Sequence, residues 1–136
     1  QEALSRLIIE HRLDGDPFAR FARLLESDPT VPERWEHYAT AALSFRHFDQ
    51  AQEVAAEGLR YVGERSLLRL ILAAALSEAG RLAEAEESFR MLGGERSEQV
   101  PELSAYARHS LRMGEYGKAQ VAAGAATKRA PDDQYA

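Results

Sequence analysis

Gly80-Arg81-Leu82-Ala83-Glu84-Ala85-Glu86-Glu87-Ser88-Phe89 has a counterpart on each side of it in the chain. Ala85 recurs as Ala51 and as Ala119, 34 residues away in either direction. Leu82, three residues before it, recurs as Phe48 and Tyr116, and Glu86, one residue after it, as Gln52 and Gln120. Gly80 and Gly114 keep the same spacing, as do Pro29, Gly63, Ser97 and Pro131. A fixed period of this length means one supersecondary unit repeated along a stack. A unit too small to bury its apolar face alone buries it against the next copy.

Helical periodicity dominates, and no segment alternates apolar and polar residues long enough to make a strand. The expected helices form four pairs: 2–13 with 17–27, 32–45 with 49–61, 66–79 with 82–92, and 101–113 with 116–129. Asp16 is placed to cap the second helix, with Pro17 in its first turn, where a missing N–H costs nothing. Pro29 ends that helix, because the residue before a proline is pushed out of the α region. Gly80 and Gly114 break the later pairs, and Gly93-Gly94 and Ala130-Pro131 stop them. Turns of a few residues make each pair an antiparallel hairpin. The chain reads as one all-α domain of about eight helices. Its units are 1–31, 32–65, 66–99 and 100–133, and 134–136 starts a further element.

On these residues the chain resembles the tetratricopeptide repeat family, of the bacterial type. The third pair carries Ala85, three residues, then Phe89; the second carries Trp35, Tyr38-Ala39 and Ala42 where the family has tryptophan, leucine-glycine and tyrosine. The counterparts are Arg69, Leu72-Ala73 and Leu76 in the third pair, and Leu103, Tyr106-Ala107 and Ser110 in the fourth. Pro131 matches the proline that closes a repeat. The likeness covers 32–131, whereas 1–31 reads as a divergent repeat or a cap, with Pro17 in the place of the small alanine. Ala55 and Ala123 replace the phenylalanine, and Arg69 the tryptophan. The resemblance implies a right-handed α-solenoid, a superhelix whose first helices line a concave groove that takes an extended or helical peptide of a partner protein.

Composition narrows the function. With 136 residues, 45% hydrophobic and 29% charged, the chain has the makings of a globular core. A net charge of −5 with no basic cluster argues against nucleic acid. The longest apolar run, Leu67–Leu76, is interrupted by Arg69 and falls short of the ~18 residues of a membrane span, so no membrane insertion is expected. The acidic first fifteen residues make a poor signal peptide, which favours the cytoplasm, or the periplasm if a leader was removed. There is no cysteine, and His11, His37, His47 and His109 lie in different pairs without metal-ligand spacing. Glu36-His37 has no nucleophile placed beside it, and no phosphate-binding or nucleophile-elbow motif is present. A non-enzyme without metal or cofactor is the expectation.

Turning the packing residues inward leaves a set of candidates facing the groove. They are Glu33, Glu36, His37, Thr40 and Ser44 in the second pair, and Leu67, Leu70, Ile71, Ala74 and Glu78 in the third. The fourth adds Ser104, Arg108 and Arg112. Because Leu68, Leu72, Ala75 and Leu76 suffice to pack the third pair's first helix, Leu67, Leu70 and Ile71 make it apolar nearly all round. Either a partner covers those three as anchors, with Glu36, Arg108 and Arg112 setting orientation, or the rest of the chain buries them. Covering each contributes about 1.5–3 kcal/mol before the cost of association. With no asparagine, and with Lys118 and Lys128 both on the last helix, a carboxylate clamp for chaperone tails is not expected. That last helix is lined by Ala119, Val121, Ala122, Ala123, Gly124 and Ala126, which suits close approach by a further helix or self-association. A purely structural segment of a longer array, or a non-catalytic domain of a larger enzyme, is the alternative to a binding module. Ala39, Ala73 and Ala107 oppose Ala51, Ala85 and Ala119 as the small residues that bring paired helices together. Ala85→Phe should therefore lower unfolding free energy by about 1–3 kcal/mol in a urea melt; an unchanged midpoint would refute this packing.

Overall fold

A computed structural model describes residues 18–129. Among them lie seven α-helices and no strand. They are α1 (Ala19–Ser27), α2 (Pro32–Ser44), α3 (Phe48–Val62), α4 (Ser66–Glu78), α5 (Leu82–Met91), α6 (Val100–Arg112) and α7 (Tyr116–Arg129). A 3₁₀ turn at Gly94–Arg96 separates α5 from α6. The expected helix over 2–13, with the Asp16 cap, Pro17 and the element at 134–136, lies outside the described residues. The other boundaries agree with the expected ones to within two residues. Proline opens α2 and sits in the first turn of α6, where no intrahelical donor is lost.

The same turn recurs after α2, α4 and α6. His47, Arg81 and Glu115 each donate a backbone N–H to a carbonyl five residues back, on Ala42, Leu76 and Ser110, all at 2.9 Å. Arg46, Gly80 and Gly114 donate three residues back, to Leu43, Ser77 and Leu111. This double closure satisfies the last helical carbonyls and requires a left-handed residue in the middle. Gly80 and Gly114 supply it with φ of 85° and 76°. In the first copy Arg46 takes φ 62°, the one non-glycine residue at positive φ among the described residues. Its guanidinium lies 5.1 Å from the Phe48 ring centroid and 3.8 Å from a Glu78 oxygen, contacts glycine would lack.

Each helix packs on the next, and α2 with α4, and α4 with α6, are direct neighbours as well; α3 and α5 have no Cα atoms within 8 Å of each other. Two apolar clusters result. The first gathers Phe18, Leu25, Trp35, Tyr38, Val54 and Leu68, among others, from α1 to α4. The second gathers Leu76, Phe89, Leu103 and Tyr106 with the small residues of α4 to α7. Helix α4 serves both: Leu68, Ile71 and Ala75 enter the first, and Ala73 and Leu76 the second. All six alanines of the ladder, Ala39, Ala73, Ala107, Ala51, Ala85 and Ala119, are buried. Trp35 stacks on Tyr61 at 5.5 Å and donates its indole N–H to the Pro29 carbonyl at 2.7 Å, tying α2 to the turn before it. Gly58 lets α3 approach that ring: a Cβ there would lie 3.1 Å from Trp35 Cβ and 3.0 Å from Leu68 Cδ1.

Nothing lies within 4 Å of a Cβ built on Gly80, so any cost of adding one there is conformational. Gly80→Ala should destabilise the chain by about 1–2 kcal/mol through the left-handed backbone alone. A thermal melt matching wild type would show that the turn relaxes to another conformation.

Candidate functional site

The sequence places thirteen candidate residues on α2, α4 and α6, and α4 adjoins both of the others. Glu33, His37, Thr40, Ser44, Leu67, Arg108 and Arg112 are exposed, and Leu70, Ala74, Glu78 and Ser104 are half-buried. Two expectations need correction. Ile71 is only 3% exposed, because α2 and α3 cover it within the first core, so it is not a surface anchor. Glu36 is buried as well: its carboxylate accepts from Arg65 Nε at 2.8 Å, and the pair closes over the α2–α4 junction. Leu70 packs partly against the second core, which leaves Leu67, 44% exposed, as the open apolar side chain of the three.

Charge on this face is mostly neutralised in place. Arg65 engages Glu36 and lies 3.9 Å from Glu33. Glu78 sits between Arg46 and Arg112, accepting a hydrogen bond from the latter. Of the three residues expected to orient a ligand, Glu36 and Arg112 are thus already engaged. Arg108 is exposed and makes no ion pair among the described residues.

Behind the face runs a polar chain that the sequence reading missed. Arg112 donates to Ser77 Oγ at 2.9 Å, and Ser77 Oγ lies 2.9 Å from His109 Nδ1. On the other side of the ring, Nε2 lies 3.0 Å from Glu86 Oε1, and Tyr106 donates its hydroxyl to Glu86 Oε2 at 3.2 Å. One tautomer satisfies every member: Ser77 accepts from Arg112 and donates to Nδ1, while Nε2–H donates to Glu86. Burial, followed by the Glu86 charge, holds the Tyr106 hydroxyl above the ordinary tyrosine pKa.

A serine, a histidine and a glutamate in hydrogen-bonded series invite comparison with a nucleophile relay. Accessibility decides the matter: Ser77 is 1% exposed and His109 0%, so no substrate atom reaches the hydroxyl in this conformation. The chain is a strut that joins α4, α5 and α6 with directional bonds where burial makes unpaired groups costly. No group of three metal-ligating side chains occurs among the described residues.

No family model matches the chain, and no curated protein or solved structure does either. The site is therefore read from its own geometry. Partners in the strut are 20 to 35 residues apart, as in Tyr106–Glu86 and Arg112–Ser77. No local motif marks such pairs. For Ser77–His109 and Arg112–Ser77 the signal is the period itself, which makes residues about one repeat apart lateral neighbours.

Ser77→Ala leaves the buried His109 Nδ1 without its partner and should cost about 1–3 kcal/mol of unfolding free energy. Combined with Glu86→Gln, the loss should be non-additive by at least about 0.5 kcal/mol, as expected of one network. Glu86→Gln should also move Tyr106 ionisation, followed by ultraviolet difference absorbance, down toward the ordinary range. A strictly additive pair, or an unmoved tyrosine, would dismantle the strut.

Proposed function

We propose that the chain is a protein-interaction scaffold built as a tetratricopeptide-like, right-handed superhelix. A peptide or helix of a partner protein docks on the face of α2, α4 and α6. The observation that carries this reading is the direct adjacency of α4 to both α2 and α6, while α3 and α5 have no Cα atoms within 8 Å of each other. It is supported by the 34-residue ladder and by its thrice-repeated turn. On that face Leu67 is the anchor, and the half-buried Leu70 and Ala74 extend it. Arg108 is the charge still open to a ligand carboxylate, which favours an apolar segment carrying an acidic residue.

A structural role is the second reading, and it has its own observation. Phe89 and Ala55 are buried, whereas Ala123, one period on, is exposed. Likewise Ser77 is buried by α6, whereas Leu111, its counterpart, is 54% exposed. Another helix, from this or a second chain, covering α7 would complete the pattern.

Leu67→Glu and Arg108→Glu discriminate the two. Both positions are exposed, so far-ultraviolet circular dichroism and melting temperature should stay native while capture of a partner falls at least about tenfold. Unchanged capture with a single species in sedimentation velocity would refute docking on this face. Concentration-dependent association reversed by Leu111→Glu would favour the structural role.

A further inference from the structure

The charges on the face of α2, α4 and α6 do not cancel in place, and the excess has opposite sign at its two ends. At the amino ends of α2 and α4, the Glu33 and Glu36 carboxylates share one guanidinium, Arg65, at 3.9 and 2.8 Å. The negative charge left over rests on Glu33, which is 60% exposed and the more distant of the two. The neighbouring arginines are already matched: Arg69 pairs with Glu64, and Arg34 bonds the Leu24 and Asp28 carbonyls. At the carboxyl ends of α2, α4 and α6, Arg46 and Arg112 share one carboxylate, Glu78, which leaves a positive charge over. Arg108, exposed and without an ion pair among the described residues, adds a second.

Helix ends favour these signs by themselves, acids in the first turn and bases in the last. That accounts for Glu33 and Arg112, which occupy such turns. It does not account for Arg108, which precedes the last turn of α6. Nor does it account for the open apolar side chain between the poles, Leu67, 44% exposed.

The period sets the spacing. Glu33, Leu67 and Pro101 are 34 residues apart and so stand at one level of α2, α4 and α6. Axes of packed helices are roughly 10 Å apart, which is the step from Glu33 to Leu67. Arg108 is one such step across from Leu67 and two turns further along, roughly 14 Å away on the diagonal. A segment on this line meets a single open apolar side chain, since Leu70 and Ala74 are half-buried and Ile71 is covered. A docked amphipathic helix needs a row of anchors one turn apart, which the line does not offer. An extended segment needs one, and its side chains return to the same side every second residue.

We propose that the occupant is an extended segment of a partner protein with lysine or arginine two residues to one side of an apolar anchor and aspartate or glutamate four residues to the other. The anchor covers Leu67, the cation meets Glu33, and the carboxylate meets Arg108. Two extended residues span about 7 Å and four about 13 Å, and the long cationic side chain covers the remaining distance to Glu33. This rests on the docking reading above and adds to it the second pole, the order of the charges and the extended form.

The test is an NMR titration of the full chain with a capped heptapeptide of alanines carrying lysine first, leucine third and glutamate seventh. Its reverse sequence is titrated too, because the order of side chains fits either chain direction. One of the two should give saturable shifts centred on Glu33, Leu67 and Arg108. Arg108→Glu should weaken that peptide about threefold to fivefold, the worth of an exposed ion pair, and lysine in place of the peptide's glutamate should restore it. Glu33→Lys should act in the same way on the other pole, with glutamate in place of the peptide's lysine restoring affinity. Should Glu33→Lys disturb the first turn of α2, Arg108→Glu carries the test alone. The proposal is overturned if neither peptide gives saturable shifts, or if the exchanged peptides recover no affinity on their matching variants. In the latter case Leu67→Glu separates the two readings. Loss of peptide binding would remove this orientation and leave the docking face standing, whereas binding as wild type would remove both.

Discussion

Helix α4 is buried on two sides, and the arrangement of the other helices depends on it. Leu68, Ile71 and Ala75 close the core built with α1 to α3, and Ala73 and Leu76 open the one built with α5 to α7. Burying a leucine or isoleucine contributes about 1.5–3 kcal/mol, so the residues on both sides of α4 hold α2 and α6 against it cooperatively. The adjacency of α2 and α6 to α4 is a by-product of that double burial. So is the wider spacing of α3 and α5, which have no Cα atoms within 8 Å of each other.

Apolar packing alone leaves the second half underdetermined. Alanines dominate the buried positions of α7 (Ala119, Ala122 and Ala126), and a 3₁₀ turn interrupts the step from α5 to α6. Small contacts tolerate sliding. The series from Arg112 through Ser77 and His109 to Glu86 and Tyr106 does not, because each buried group loses its partner if a helix shifts. Phe89 packs on the His109 ring at 5.0 Å between centroids, so the strut and the core share members. The junction at Gln52 and Leu72 is the contrasting case. It has neither a ring nor a closed polar chain, and the Gln52 Nε2 there is buried without a hydrogen-bond partner.

Much of the fold was legible because the repeat writes its packing into single residues. Ala51, Ala85 and Ala119 must be small wherever a partner helix crosses, and Gly80 and Gly114 must sit where the turn is left-handed. The candidate face was less legible. Ile71 and Leu67 read alike in sequence, both apolar and both off the packing stripe of α4. The approach of α2 and α3 buries the first and leaves the second open. Glu36 read as a free orienting charge because Arg65, which holds it, lies 29 residues away across a junction. His109 read as an isolated histidine because its two partners belong to other helices.

The amino-acid sequence by itself determined the helices, their turns and the period, since these follow from local backbone preference and from side-chain size at fixed spacing. Only the tertiary structure decided which side chains remain at the surface, which charges neutralise one another, and which buried polar groups find partners. Those outcomes depend on how closely one unit settles on the next. A Leu72 in place of a tyrosine, or a Ser77 beneath a His109, acquires its meaning from a neighbour about one repeat away.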